Sequence, residues 1–385
     1  SPLVLEARHR IGGRILTVHD PLTPVPIELG AEFVHGVHPA LWRVLRGLHA
    51  PVLELTGEHW TRDAEGLHPA GGGWDEMDRI FDEMSRAPEQ SFAQFIAGAH
   101  ASADAKRAAT SFVEGFNAAH KEQVSVAWLN EEQKVSDEIQ GDRSFRVLAG
   151  YGAVCGRLAE NLDIRLSTEV SRIRWSPGDV QIETARGESF RCARALIAVP
   201  FAGLRCGRPQ LDPEPPSLAA ARGAIATGSA LRVTFRFAES PWNKAAPHLS
   251  FLHGDAAFPV WWTAFPVAAP VITGWAAGPN ADALAGRSPA ELQKIALDSL
   301  HKLLGEHPGS PEAAWFHDWS ADPFALGAYS YVRTGGLAAL AKLQKPVENT
   351  ICFAGEALAV GHMGTVHGAL ESGIEAAAAL AASVR

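Results

Sequence analysis

The residues that could take part in chemistry include a stretch near the C-terminal end. Residues 351–356 are an apolar run that ends in glycine and Glu356, which is typical of a short buried strand. Gly364 and Thr365 precede a segment, 366–377, with apolar residues at helical spacing. The first N–H groups of a helix lack helical acceptors, so they can bind a phosphate or a ring that gains negative charge. A helix packed closely on a sheet without any ligand would show the same pattern.

A second candidate stretch lies near the start of the chain. A strand from Pro2 ends near Glu6, and in a dinucleotide-binding βαβ unit an acid at the end of the second strand bonds the ribose hydroxyls. The glycine-rich loop that precedes such a strand is not found ahead of Leu3, and an ordinary surface strand would end in the same way. Gly30 and Gly36 bracket a further apolar segment, which suggests backbone lying against a flat ligand.

Histidines and tryptophans are further candidates. His35, His362 and His367 lack ligand spacing to a cysteine or carboxylate cluster, so we predict no metal site. Trp261 and Trp262 are adjacent in an apolar run. Because successive side chains of a strand point to opposite faces, one of the two rings is expected to enter a pocket.

The composition excludes several classes of protein. The chain has 385 residues, of which 46% are hydrophobic, and this suits two globular domains rather than a disordered or fibrous protein. Its apolar runs are too short to span a membrane, and a net charge of -9 argues against nucleic acid as a partner. The cysteines form no CxxC pair, which favours reduced thiols and a cytoplasmic location. The sequence starts at Ser1 rather than Met, which leaves a preceding signal peptide open.

The order of the elements predicts an α/β fold with two domains, in the sense of an α+β arrangement around two sheets. Residues 1–38, 148–210 and 346–385 are predicted to form a Rossmann-like domain, because short strands dominate them and a helix ends them. The second domain is predicted to combine a largely helical part, 39–147, with a mixed sheet and its own helix in 211–345.

Taken together, the motifs resemble those of the flavin-containing amine oxidases, the family of monoamine oxidases, polyamine oxidases and lysine-specific histone demethylases. The resemblance runs from Val4 to the C-terminus, and the order and spacing of the motifs are more specific than any one of them. The motifs are Leu5-Glu6-Ala7-Arg8 with Gly12-Gly13-Arg14, Leu29-Gly30-Ala31, Trp319-x-x-Asp322-Pro323, Tyr329-Ser330-Tyr331-Val332, Phe353-Ala354-Gly355-Glu356 and Thr365-Val366-His367-Gly368-Ala369. The last four are nearest to the polyamine oxidase and demethylase branch.

The resemblance implies FAD between the two domains. The FAD would be noncovalent, since the segment 326–332, where monoamine oxidases carry the tethering cysteine, has none. Glu6 would hold the adenosine ribose, Val170 would meet the adenine through its backbone, and Thr365 and Val366 would present N–H groups to the flavin. The other cofactor-binding residues that the resemblance implies are Arg8, Gly13, Arg14, Gly30, Ala31, Trp319, Gly355, Glu356 and Gly364. The predicted substrate contacts are Phe33, Trp261 and Tyr329.

Arg232, Tyr329 and Thr365 are the predicted catalytic residues. The family usually has a lysine at the position of Arg232, bridged by water to the flavin, but arginine stays protonated and cannot act as a base. Arg232 is therefore expected to act electrostatically, or else to be a strand residue in a local ion pair. Tyr329 is expected to face the substrate across the flavin from Thr365.

The predicted reaction is the FAD-dependent oxidation of an amine, with a secondary amine or polyamine favoured, to an imine. Oxygen would accept the electrons and give hydrogen peroxide, and hydrolysis would release an aldehyde and an amine. The expected partners are a small-molecule amine and oxygen. Two alternatives stay open: a related FAD-dependent desaturase or oxidase with a non-amine substrate, and an inactive fragment that cannot hold FAD without the glycine-rich loop.

Overall fold

The computed structural model describes residues 2–49, 51–71 and 74–382. The helices are α1 (Pro39–Gly47), α2 (Trp74–Met84), α3 (Phe92–Gly98), α4 (Ala103–Phe116), α5 (Val126–Glu138), α6 (Gly152–Ala159), α7 (Phe201–Arg205), α8 (Pro216–Ala224), α9 (Pro279–Asp282), α10 (Pro289–Leu304), α11 (Leu337–Leu343) and α12 (Val366–Ala382). A short 3-10 helix spans Glu356–Leu358.

The strands fall into several small sheets and one large one. Those in the first half of the chain are β1 (Leu3–Leu5), β2 (Thr17–Val18), β3 (Ile27–Glu28), β4 (Phe33–His35), β5 (Val52–Glu54), β6 (Glu58–Asp63), β7 (Gly66–Pro69), β8 (Ser144–Val147), β9 (Asp163–Arg165), β10 (Val170–Ser176), β11 (Asp179–Thr184) and β12 (Ser189–Cys192). Those in the second half are β13 (Ala195–Ile197), β14 (Gln210–Asp212), β15 (Ile225–Thr227), β16 (Ala230–Arg236), β17 (Leu249–Gly254), β18 (Val260–Thr263), β19 (Val271–Ala277), β20 (Ala313–Asp318), β21 (Ser330–Val332) and β22 (Ile351–Phe353).

Parallel strand pairs join segments that are distant in the sequence. β1 pairs with β9 in parallel, with Leu3 opposite Asp163, and β13 pairs with β22 in parallel, with Ala195 opposite Ile351. β10, β11, β12 and β14 form a separate four-stranded sheet instead of extending the β1 sheet. Parallel pairing is typical of α/β proteins, but in this structure β22 is buried whereas β1 and β9 are largely exposed.

The large sheet has the strand order β20-β16-β19-β18-β17-β6-β7. Strand β16, which lies next to the edge strand β20, is buried along its whole length. Helix α10 covers the sheet and begins with a capping box, in which the Ser288 hydroxyl accepts the N–H of Glu291 and the Glu291 carboxylate accepts the N–H of Ser288. The helix ends at Gly305, whose φ of 80° is left-handed. The mixed α/β architecture that we predicted is therefore confirmed.

The segment 39–147, predicted as largely helical, also contains strands. In its described part, α1 to α5 are accompanied by β5 to β8. The hairpin of β6 and β7 extends the large sheet, because β6 pairs in parallel with β17. The sequence of β6, Glu58–Asp63, is mostly polar and half-exposed, so it lacks the apolar alternation of a typical strand, and its distant partner β17 is not revealed by local periodicity. Within the described residues, no helix is both long and apolar enough to cross a membrane.

Candidate active site

Glu356 joins three distant segments of the chain at the end of β22. Its carboxylate is buried and accepts hydrogen bonds from Arg14 Nη1 at 2.8 Å and from the Ser330 hydroxyl at 2.9 Å. It also accepts the N–H of Gly364 at 3.0 Å. The preceding residue, Gly355, is held by the Ser372 hydroxyl, which accepts its N–H at 2.9 Å. The carboxylate thus fixes the turn before α12 relative to the loop after β1.

The start of α12 presents free backbone donors. The Thr365 hydroxyl accepts the N–H of Gly368 at 3.0 Å and donates to the His362 carbonyl at 2.7 Å, so it caps the helix. Among the described residues, no protein acceptor receives the N–H of Thr365 or Val366. Gly364 has a left-handed φ of 76°, which turns the chain into the helix. These two N–H groups are available to an electron-rich ligand.

Tyr329 lies against this turn. A Cβ atom added at Gly364 would lie 3.1 Å from Cδ2 of the Tyr329 ring, so the ring covers the glycine directly. The phenol donates to the Phe116 carbonyl at 2.5 Å. Burial raises the pKa of Tyr329 above its ordinary value, and the nearby Glu356 carboxylate raises it further. The phenol therefore stays neutral, and the structure brings Tyr329 and Thr365 together.

Arg232 lies in a buried ion cluster. From β16 it donates to the Gly30 carbonyl at 2.7 Å and forms an ion pair with Glu32. Glu32 also accepts from Arg146 Nη2 at 2.8 Å and from Trp262 Nε1 at 3.0 Å. The guanidinium carbon of Arg232 lies 5.2 Å from the centre of the Trp262 ring. We name Arg232, Glu32 and Arg146 the arginine cluster.

The arginine cluster carries two positive charges and one negative charge in a site that is closed to solvent. Arg232 is 3% exposed and the Glu32 side chain 9%. Burial alone would raise the pKa of Glu32, but Arg232 and Arg146 outweigh it and lower the pKa below its ordinary value. The sequence analysis missed Glu32 and Arg146. A buried arginine on an apolar strand requires a buried acid as its partner, and this requirement was the signal that could have led to Glu32.

Arg8 and Trp319 tie the end of β1 to the loop after β20. The guanidinium of Arg8 donates to both oxygens of Asp322, at 2.8 and 2.7 Å, and the backbone N–H of Arg8 donates to the Glu6 carboxylate at 2.7 Å. Burial opposes ionisation of Asp322, but Arg8 prevails and lowers its pKa to about 2. Trp319 donates from Nε1 to the Leu29 carbonyl at 2.8 Å. These bonds hold the predicted cofactor-binding residues next to one another.

Gly30 is required by a close backbone approach within the protein. A Cβ atom at this position would lie 1.9 Å from the Arg14 carbonyl oxygen and 3.1 Å from the Trp319 ring. Ala31 donates its N–H to the same carbonyl at 3.2 Å. We associated this glycine with a flat ligand, but contacts within the protein already explain why no larger residue fits here.

Gly13 and Val170 lie in different surroundings. Gly13 has no atom within 4 Å of an added Cβ, and its carbonyl accepts from Arg10 at 2.8 Å. Val170 begins β10 and is half-buried, and it lies close to Glu6 because the Glu6 carbonyl accepts the N–H of Thr168 at 2.8 Å. The structure thus brings Val170 and Glu6, the predicted adenosine-side residues, together at the end of β1.

The aromatic side chains divide between site and core. The rings of Phe33 and Trp262 lie 5.3 Å apart beside the arginine cluster. Trp261 points to the opposite face of β18, is fully buried and donates to the Phe258 carbonyl at 2.9 Å. The structure therefore places Trp262, and not Trp261, with the other site residues. The alternation of side chains was predicted correctly, but the ring that we chose as a substrate contact belongs to the core under α10.

The fold and these motifs define an α/β flavoprotein oxidoreductase. The family model for flavin containing amine oxidoreductase matches residues 1–63 and 61–381, and the chain belongs to this family. Polyamine oxidase 4 of Oryza sativa subsp. japonica is 27% identical over 420 residues, which cover 97% of this chain and 82% of that protein. Human lysine-specific histone demethylase 2 is 27% identical over 256 residues, which cover 64% of this chain and 31% of that protein.

Solved structures share the fold. A double mutant of putrescine oxidase superposes with a TM-score of 0.86 at 23% identity, covering 99% of this chain and 93% of that one. Cyclohexylamine oxidase from Brevibacterium oxydans IH-35A gives a TM-score of 0.85 at 22% identity, again covering 99% and 93%. The predicted family and enzyme class are confirmed: the chain is an amine oxidoreductase of a flavin-dependent family.

Proposed function

We propose that the protein binds FAD noncovalently and oxidises a secondary amine or polyamine to an imine, with oxygen as the acceptor and hydrogen peroxide as a product. The imine would then hydrolyse to an aldehyde and an amine. The observation that carries the proposal is the turn at Gly364, where the Tyr329 ring lies against the glycine and no acceptor among the described residues receives the N–H of Thr365 or Val366.

The residues at this turn fit a flavin. The two N–H groups lie at the positive end of a helix, which suits the end of a ring system that becomes negative on reduction. Added Cβ atoms at Gly13 and Gly355 would meet nothing within 4 Å, so the backbone there can be approached closely. The segment 326–332 contains no cysteine, which supports a noncovalent cofactor.

A bound flavin supplies the acceptor for a hydride equivalent from the carbon next to the amine nitrogen. The protein's part is electrostatic. The free N–H groups of Thr365 and Val366, together with the net positive arginine cluster, favour negative charge on the acceptor. Arg232 stays protonated, so it orients and stabilises but does not remove a proton.

The walls of the site select the neutral amine. Phe33, Trp262 and the ring of Tyr329 offer apolar surface, and a desolvated ammonium group beside them would be unfavourable. An ammonium nitrogen also has no lone pair to assist departure of the hydride. The preference for polyamines rests on relatives that are named polyamine oxidases and on the four motifs nearest to that branch.

The test measures reduction of the flavin separately from its reoxidation by oxygen. FAD-loaded protein is mixed without oxygen with primary, secondary and polyamine substrates while the flavin absorbance is followed. We expect bleaching with secondary amines or polyamines, then hydrogen peroxide when air is admitted. Acid precipitation should leave the flavin in the supernatant. If no amine bleaches a loaded flavin, amine oxidation by this chain is refuted and a non-amine substrate is favoured.

A further inference from the structure

A cluster of three imidazoles and one carboxylate lies behind the start of α12. His38 precedes α1, His362 lies in the turn before α12, and Glu371 belongs to α12 itself. His38 Nε2 and Glu371 Oε1 are 3.3 Å apart, and His362 Nε2 and Glu371 Oε2 are 3.9 Å apart. One donor atom from each of the three residues lies within 4.8 Å of the other two. The proposed amine oxidation uses none of them.

We propose that His38, His362 and Glu371 bind a divalent transition-metal ion of the zinc type. Two imidazole nitrogens and one carboxylate oxygen are ligands that Zn²⁺ prefers, and three protein ligands leave a further position for water. In a tetrahedral site with bonds of roughly 2.0–2.2 Å, the ligand atoms lie about 3.3 Å apart. The separation of His38 and Glu371 already has this value, and the His362 ring must move inward, because its Nε2 atom is 3.9 Å from Glu371 Oε2.

The surroundings of the cluster support ion binding. His367 Nε2 lies 3.2 Å from His362 Nδ1, so a hydrogen bond holds the second nitrogen of that ring. Metal-bound histidines are usually oriented in this way. The His367 ring also stacks on His38, with centres 5.0 Å apart. A preformed, buried set of nitrogen donors costs little to organise when the ion arrives.

His38 is buried, at 5% exposure, and its Nε2 atom faces Glu371. Its other nitrogen, Nδ1, has no hydrogen-bond partner within residues 2–49, 51–71 and 74–382 and is not the ligand atom. The Glu371 side chain is 36% exposed and provides a route from solvent to the cluster. An ion held there would link the segment before α1 to α12, and so would secure the helix whose first N–H groups face the proposed flavin site.

The test uses the FAD-loaded protein after removal of metals with a chelator and dialysis. Zn²⁺ is titrated in competition with a chromophoric chelator, and Co²⁺ is titrated in parallel while absorption is followed at wavelengths beyond the flavin bands. We expect one tight Zn²⁺ per chain, a higher unfolding temperature with Zn²⁺, and tetrahedral Co²⁺ absorption. His38→Gln and Glu371→Gln should abolish these effects. His367→Gln should weaken Zn²⁺ binding by roughly 10–100-fold.

Two control variants separate the site from adventitious binding. Glu375→Gln changes an exposed acid one turn further along α12, and His100→Gln changes an imidazole that is 92% exposed. Both should bind Zn²⁺ as the wild type does. Equal Zn²⁺ binding by the wild type and Glu371→Gln, or a wild-type unfolding temperature that Zn²⁺ does not raise, would refute the site. The cluster would then be a His38–Glu371 ion pair alone. A variant that unfolds without Zn²⁺ is replaced by Glu371→Asp, which keeps the charge and should retain weakened binding.

Discussion

The arginine cluster permits a quantitative prediction about stability. Glu32→Gln removes the one negative charge between Arg232 and Arg146 and leaves two buried guanidinium groups facing each other. Removal of one partner from a buried ion pair typically costs about 3–5 kcal/mol, because the remaining charge is desolvated without compensation. Glutamine keeps the size of the side chain and an acceptor for the Trp262 indole, so loss of charge dominates. We expect the free energy of unfolding to fall by about 3–5 kcal/mol.

A surface pair in the same protein provides the control. Arg143 also donates two hydrogen bonds to one carboxylate, that of Glu54, but the two side chains are 40% and 37% exposed. Solvent screens such a pair, so Glu54→Gln should lower the free energy of unfolding far less than Glu32→Gln does. The assay is urea unfolding of both variants and the wild type, followed by fluorescence. If the free energy of unfolding fell equally in the two variants, the conclusion that burial makes the arginine cluster important for stability would be refuted.

Three further predictions concern single positions. Arg232→Lys introduces a group that can release a proton, so reoxidation of the reduced flavin by oxygen should accelerate about tenfold or more in stopped-flow measurements. An unchanged rate would contradict the view that the fixed charge of Arg232 limits reoxidation. Burial, the largest effect on Glu28, raises its pKa from 4.5 to about 7. The folded state thus holds the Glu28 proton more tightly than the unfolded state does, and the free energy of unfolding should fall by about 3 kcal/mol as pH rises from 4.5 to 7. Glu28→Gln should remove this pH dependence, as measured by urea unfolding. Gly30→Ala forces a clash with the Arg14 carbonyl, and it should lower the unfolding temperature strongly, whereas Gly98→Ala, at a position where an added Cβ meets nothing, provides a control for the loss of a glycine.

Much of the backbone arrangement followed from local patterns. The apolar run before Gly355 and the helix after Thr365 lie where the sequence predicts them, since both patterns are short and continuous. The hairpin of β6 and β7 was missed because β6 is mostly polar, and it joins the large sheet through β17, some 190 residues further along the chain. Local periodicity carries no information about such partners.

The side chains of the site were harder to predict than its backbone. Trp261 and Trp262 alternate as expected, but only the packed sheet determines which face meets α10 and which meets Glu32. His38 and Glu371 lie 333 positions apart in the sequence, so no spacing rule could join them to His362. Clusters assembled from distant segments become visible only in three dimensions.

The contacts of Glu356 also constrain the order in which the site can form during synthesis. Its carboxylate binds Arg14, which is 342 positions earlier, and Gly364, which is eight positions later. Chains are made from the N-terminus, and contacts between distant segments form slowly because a long loop must close first. The loop after β1 must therefore wait, without its partner, until Glu356 and Gly364 have been made. The proposed cofactor site can be completed only after these residues have left the ribosome, so flavin should be acquired after that point.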